Sequence, residues 1–129
     1  MDWAREIDEL HEFFEAWFRG LAQSFERMEI ALAPTFSIVG PRGTTMDRAE
    51  TIAAVREGRG RSSSLRIGTS DHQLLAATPG LVVARYIETH ESDDHSTRRL
   101  STAVFEPDET APNGLVWVTV HETFLDDVS

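Results

Sequence analysis

The stretch from Gly114 to Leu125, GLVWVTVHETFL, constrains the fold more than any other part of the chain. β-Branched and aromatic residues fill it and a glycine stands at its entrance, which is the composition of a strand. Alternation sorts the stretch into two faces. Leu115, Trp117, Thr119, His121 and Thr123 share one face; Val116, Val118, Val120, Glu122 and Phe124 share the other. The second face reads as apolar filling. The first combines an indole, hydroxyls and an imidazole, as the wall of a ligand cavity would.

The preceding chain places helices first and strands after. Trp3, Ile7, Leu10, Phe14, Trp17, Leu21 and Phe25 recur at spacings of three and four, which predicts one amphipathic helix over Asp2 to Arg27. Asp2 is its candidate N-cap. Gly20 reads as a tolerated interruption and His11 as a half-exposed helical histidine. A second short helix is expected over Glu26 to Leu32, closed by Pro34. A brief strand, Thr35 to Val39, follows and ends in the turn Gly40-Pro41-Arg42-Gly43, which lacks the Gly-Lys-Ser/Thr ending of a phosphate loop. Thr45 or Asp47 then caps a third helix; Asp47 followed by Glu50 resembles a capping box. Gly58 and Gly60 end that helix. Arg56, Arg59, Arg61 and Arg66 form a local basic cluster, read as solvated and paired with the protein's own acids.

From Ser64 onward the pattern is of strands: Leu65 to Leu75, Leu81 to Glu91, Ser96 to Phe105, and the closing stretch. The polar segment His90 to His95 has metal-ligand composition but reads as a solvated hairpin tip, so no metal is expected. Four strands joined by turns form an antiparallel meander. The fold class is therefore α+β, with helices packed on one face of a curved sheet.

At 129 residues the chain fits one domain, residues 1–129, with a sizeable core. Its formal charge of −10 argues against nucleic-acid and anionic-membrane partners, which demand a basic surface. The absence of cysteine excludes disulfide and thiolate chemistry and fits a cytoplasmic location. Acids among the apolar residues of the N-terminal segment speak against a signal peptide, and no apolar run is long enough to span a bilayer.

Turn positions suggest a register. With Glu91 opposite Ser96, Glu88 faces Arg99 and Tyr86 faces Ser101. With Val104 opposite Val116, Ser101 faces Thr119 and Arg99 faces His121. One sheet face then gathers Tyr86, Glu88, Arg99, Ser101, Trp117, Thr119 and His121, and a slip by one residue in either turn would undo it. Glu88, Arg99 and His121 would form a row of acid, guanidinium and imidazole. His121 and Glu88 are the candidate acid/base pair, with Tyr86 as a hydrogen-bond donor. Arg99 suits a carboxylate ligand. Phe14, Trp17, Phe18 and Trp117 supply an apolar wall. The alternative is a closed polar network that only fixes strand register.

The order of elements, the segment APTFSIVGPRG, the capped helix MDRAETIAAVREG and the ending Trp117-x-x-x-His121-x-Thr123 together resemble the NTF2-like, or cystatin-like, superfamily and its DUF4440 and SnoaL-like branches. The resemblance implies a cone: N-terminal helices packed in a strongly curved antiparallel sheet around a pocket, and a homodimer through the sheet. It implies a small-molecule-binding protein with an enclosed polar and aromatic pocket, of the isomerase, cyclase or dehydratase kind, with no cofactor. The other expectation it carries is a non-catalytic association module like that of calcium/calmodulin-dependent kinase II. The isomerases' tyrosine donor on the first helix has no counterpart here, where Tyr86 is the only tyrosine and lies on a strand. Kinase association domains carry pocket arginines; Arg99 matches one, and Ala103 stands where a second would fall.

Overall fold

The computed structural model describes residues 2–125. Helix α1, Trp3–Phe18, is capped by Asp2, whose side chain accepts the Arg5 amide at 3.1 Å. The helix does not continue to Arg27 as the apolar spacing suggests. Gly20 adopts φ 78°, and the Gly20 and Leu21 amides fold back to the Trp17 and Ala16 carbonyls at 3.0 and 2.8 Å. The glycine is a terminator, because only a residue without Cβ takes this left-handed conformation at little cost. Leu21, on the predicted stripe, is 64% exposed as a result. A separate helix α2, Glu26–Ala31, follows.

Strand β1, Leu32–Val39, is longer than the expected Thr35 to Val39 and begins before Pro34. A short β2, Thr45–Asp47, pairs with it, so Thr45 belongs to a strand. Asp47 caps α3, Arg48–Glu57. Its side chain accepts the Glu50 amide at 2.9 Å while Glu50 accepts the Asp47 amide at 3.1 Å, completing the capping box. At Gly58, just past α3, a Cβ would stand 2.8 Å from the Phe18 ring, so the end of α3 presses directly on α1.

Four long strands then run antiparallel: β3 (Arg66–Thr78), β4 (Leu81–Ser92), β5 (His95–Pro107) and β6 (Leu115–Phe124). The sheet order is β2-β1-β6-β5-β4-β3, with β1 parallel to β6. The result is an α+β architecture in which a curved, unclosed six-stranded sheet holds the helices on its concave face. Ile7, Leu10, Trp17 and Phe18 of α1 bury against Tyr86, Phe105 and Trp117 of the sheet. Trp17 also ties α1 to α3, donating its indole N–H to the Val55 carbonyl at 2.8 Å.

Register decides what faces the helices. The β4–β5 pairing is the expected one: Glu91 opposes Ser96, Glu88 opposes Arg99 and Tyr86 opposes Ser101. The β5–β6 pairing is not. Ser101 opposes Glu122 rather than Thr119, and Arg99 opposes Phe124 rather than His121, a shift of three residues. The connecting loop explains two of the three. Asp108 donates its amide to the Gly114 carbonyl at 2.9 Å, and the Asp108 carboxylate holds the Thr110 amide and hydroxyl. Closure at Asp108 and Gly114 sets Pro107 opposite Leu115. The expected register would have put Asp108 opposite Pro112, which has no N–H to give. An odd shift exchanges the faces of a strand. A bulge between Val104 and Phe105 adds the third residue, so Glu122 and Val120 beyond it point inward and His121 outward, while Trp117, before the bulge and shifted by two, keeps the inner face opposite Phe105.

Candidate functional site

Between α1, α3 and the concave sheet lies a cavity of about 360 Å³. Phe14, Phe18, Phe36 and Trp117 give it an apolar wall. Its polar groups are His11, Arg61, Tyr86, Glu88, His90, Arg99 and Glu122. A volume in this range, mostly apolar with a few converging polar groups, is the usual form of a small-molecule site.

His11 is the buried centre of the polar set, only 4% exposed, which corrects its reading as a half-exposed helical residue. One turn of α1 brings its Nδ1 to 2.7 Å from the Ile7 carbonyl, and its Nε2 lies 2.9 Å from Glu88 Oε1 on β4. A carbonyl and a carboxylate both accept, so both ring nitrogens must donate and the ring is an imidazolium. Burial opposes that charge, but the charge and hydrogen bond of Glu88, helped by the Ile7 carbonyl, outweigh it and raise the His11 pKa. Burial likewise opposes ionisation of Glu88. Contacts with His11 and then His90 overcome it, holding the carboxyl well below the usual carboxylate range. His90 Nε2 donates to Glu88 Oε2, so both Glu88 oxygens are engaged. His90 thus belongs to the cavity and not to the solvated hairpin tip, where His95 stands exposed.

Glu122 shows the opposite behaviour. It is 8% exposed, and burial together with the nearby charge of Glu88 pushes its pKa up to about 7 against the pull of Arg99. Arg99 Nη1 reaches Glu122 Oε1 only at 3.5 Å, and Arg99 Nε is buried with no hydrogen-bond partner among the described residues. Tyr86 is kept a neutral phenol: burial, then the charges of Glu88 and Glu122, raise its pKa well above the ordinary value. Its ring packs edge-on against His11 at 5.3 Å and Trp117 at 6.4 Å.

The structure thus brings together Tyr86, Glu88, Arg99, Trp117, Phe14 and Phe18 from the sequence-derived set. Ser101 is fully buried on the same sheet face, beneath the cavity lining. Trp17 is buried behind the wall. Thr119 turns away and donates its hydroxyl to the Ser37 carbonyl at 2.8 Å. His121 is exposed on the outer face, because the three-residue shift reverses that end of β6. His11, His90, Glu122 and Arg61 are the cavity's unforeseen polar members. Among the described residues, no three His, Cys, Asp or Glu side chains are arranged to hold a metal ion. No helix of the described residues is long and apolar enough to cross a membrane.

No family model matches the chain, and no curated protein matches it. Solved structures do. An NTF2-like protein of unknown function from Pseudomonas aeruginosa superposes with a TM-score of 0.88 at 28% identity, over 96% of this chain and 98% of that one. The chain has the NTF2-like fold. The calcium/calmodulin-dependent kinase II hub of S. rosetta shares it at 16% identity and a TM-score of 0.70, over 97% of this chain and 98% of that one. So does a candidate dehydratase of the NTF2-like family from Streptomyces avermitilis, at 17% identity and a TM-score of 0.66, over 95% of each chain. At such identities the NTF2-like fold is what is shared, and the site has to be argued from its own residues.

Proposed function

We propose that this NTF2-like chain binds a small carboxylate with an apolar body in the cavity, and that Glu122 exchanges a proton with it. The observation that carries this reading is Arg99, a largely buried guanidinium beside the cavity; among the described residues its buried Nε has no hydrogen-bond partner and its carboxylate neighbour, Glu122, stands at a long 3.5 Å. A buried donor left unsatisfied is costly, and a carboxylate ligand offers the matching pair of acceptors. The aromatic wall fits an apolar ligand body. A carboxyl group with a pKa of about 7 is suited to take and return a proton near neutrality. Tyr86, held as a neutral phenol, can donate a hydrogen bond to a developing oxyanion. In this reading Glu122 takes the part expected of His121, and the His11–Glu88 pair fixes the local charge. The chemistry is of the isomerase or dehydratase kind.

The test is thermal-shift titration at pH 7 with aromatic monocarboxylates such as benzoate and phenylpropionate. The natural chain should be stabilised, and Arg99→Gln should weaken the apparent affinity by about tenfold or more, as expected for loss of a charge-assisted hydrogen-bonded pair. Equal response of the two proteins would remove Arg99 from any role in binding.

A second reading, self-association through the outer sheet face, has its own observation. Leu81 is 40% exposed at the β3–β4 end, and Val83 and Ile87 follow it on the same face of β4. The likeness to a kinase hub supports the same reading. Light scattering at micromolar concentration should give the mass of a homodimer, with Leu81→Glu shifting it toward the monomer; a monomeric natural chain would end this reading.

A further inference from the structure

We infer that the ligand carries two carboxylates on an apolar spacer, one held by Arg99 in the depth of the cavity and the other by Arg61 at its mouth. This deepens the function proposed above and rests on it. Arg61 lies between α3 and β3, and its guanidinium sits 4.0 Å over the ring of Phe18, itself part of the cavity wall. Such stacking fixes the plane of a guanidinium while leaving its edge N–H groups free to donate. Among the described residues the Arg61 guanidinium has no hydrogen-bond or ion-pair partner. Its neighbours in sequence differ: Arg59 is tied to the Ala22 and Gly20 carbonyls at 2.9 and 3.2 Å, and Arg56 lies 3.8 Å from Glu29. Of these three arginines of the cluster, Arg61 alone lines the cavity.

The charges around the cavity point the same way. The His11 imidazolium is matched by Glu88. That leaves the guanidinium groups of Arg61 and Arg99 facing one volume with Glu122 alone to answer them. The two feel each other: burial and then the charge of Arg99 lower the Arg61 pKa. An overall charge of −10 makes this concentration of positive charge in a cavity hard to explain as general surface composition. A monocarboxylate would satisfy Arg99 and leave Arg61 unanswered. A dicarboxylate answers both, and its spacer lies along the wall formed by Phe14, Phe18 and Trp117.

Calorimetric titration of the full chain at pH 7 with two series tests this: the straight-chain dicarboxylates from succinate to sebacate and the monocarboxylates of matching length. One dicarboxylate should bind about tenfold tighter than its monocarboxylate counterpart. Arg61→Gln should bring it down to the monocarboxylate level while leaving monocarboxylate binding unchanged. Arg99→Gln should weaken both series, and Arg56→Gln neither. Arg99-dependent binding of monocarboxylates with no dicarboxylate tighter would overturn this inference and leave the proposed function standing. So would an equal loss in both series from Arg61→Gln, or a loss from Arg56→Gln as large as from Arg61→Gln. Absence of binding in every series, benzoate included, would overturn both.

Discussion

Glu122→Gln is expected to be more stable than the natural chain at pH 8 and about equally stable at pH 5. In the unfolded chain the carboxyl ionises near its ordinary value of 4.5; in the folded protein it holds its proton up to about pH 7. The folded pKa is raised, so the advantage of the protonated acid is full below the ordinary value and is lost as pH rises toward 7. Between those values each pH unit removes about 1.4 kcal/mol of stability. The accumulated loss is about 3 kcal/mol, which for a domain of this size lowers the melting temperature by about 10 °C. Glutamine has no proton to lose and escapes that loss, apart from what Arg99 forfeits when its carboxylate neighbour disappears. The other titrating groups act in both proteins and differ between them only through the charge of Glu122. His11, with a raised pKa, contributes stability below its ordinary value that fades as pH climbs through the folded one. Glu88, with a lowered pKa, contributes stability above its ordinary value. Both effects are common to the two proteins. Melting curves of the pair from pH 5 to pH 8.5 should diverge steadily; parallel curves would show that Glu122 holds no buried proton. A group that destabilises its own fold at neutral pH is what a site selected for binding or proton transfer leaves behind. The variant should therefore be more stable and unable to exchange a proton with ligand.

The contrast between Glu122 and His121 shows where the sequence stops speaking. The β4–β5 hairpin turns at Asp93 and Asp94, so few registers are open to it, and the pairing of Glu88 with Arg99 and of Tyr86 with Ser101 is legible. The β5–β6 connection is a loop with internal Asp108–Thr110 bonds and a glycine at φ 79°, and its length leaves several closures open. Strand pattern cannot choose between them, because β6 is apolar enough on both faces to be buried either way. The signal that could have chosen is Pro112, which cannot donate within a ladder. Trp117 keeps the inner face because the shift at the loop is even; the bulge beyond it makes the shift odd and turns Glu122 inward. His11 was hidden for another reason. Its partner Glu88 is 77 residues away, and nothing in a helix's own pattern distinguishes a histidine awaiting a distant carboxylate from one half in solvent. Periodicity found α1 but overran it, since Leu21 and Phe25 keep the spacing past Gly20. Phe25 still packs in the core, on Trp17 at 4.8 Å, but from a new helix.

Glu6→Leu is expected to cost the largest share of stability of any single substitution in α1, although Glu6 does not itself line the cavity. The side chain is fully buried and gathers three donors from three parts of the chain. Arg27 Nη2 donates to Oε1 at 2.6 Å, Asn113 Nδ2 to Oε1 at 2.9 Å, and Trp117 Nε1 to Oε2 at 2.9 Å. One carboxylate thereby fastens α1 to α2, to the β5–β6 loop and to β6. The same loop is held by the Asp2 amide, which donates to the Asn113 carbonyl at 3.0 Å. Leucine would fill most of the volume but would leave the buried indole N–H without an acceptor and the largely buried Arg27 charge with Glu9 alone, at a long 3.7 Å; Arg27 Nη1 already has no partner among the described residues. Loss of one partner from a buried ion pair costs about 3–5 kcal/mol, and the partial exposure of Arg27 puts this case toward the lower end. Urea denaturation should show the unfolding free energy falling by that amount, as a lower midpoint at an unchanged slope. The double variant Glu6→Leu, Arg27→Met separates the orphaned charge from simple loss of packing. Removing the guanidinium as well should return much of the stability, giving a double variant less damaged than Glu6→Leu alone. Additive losses would mean that the carboxylate acts through its shape and its bonds to Asn113 and Trp117. In either case Trp117, which walls the cavity, is anchored by a carboxylate that lies outside it.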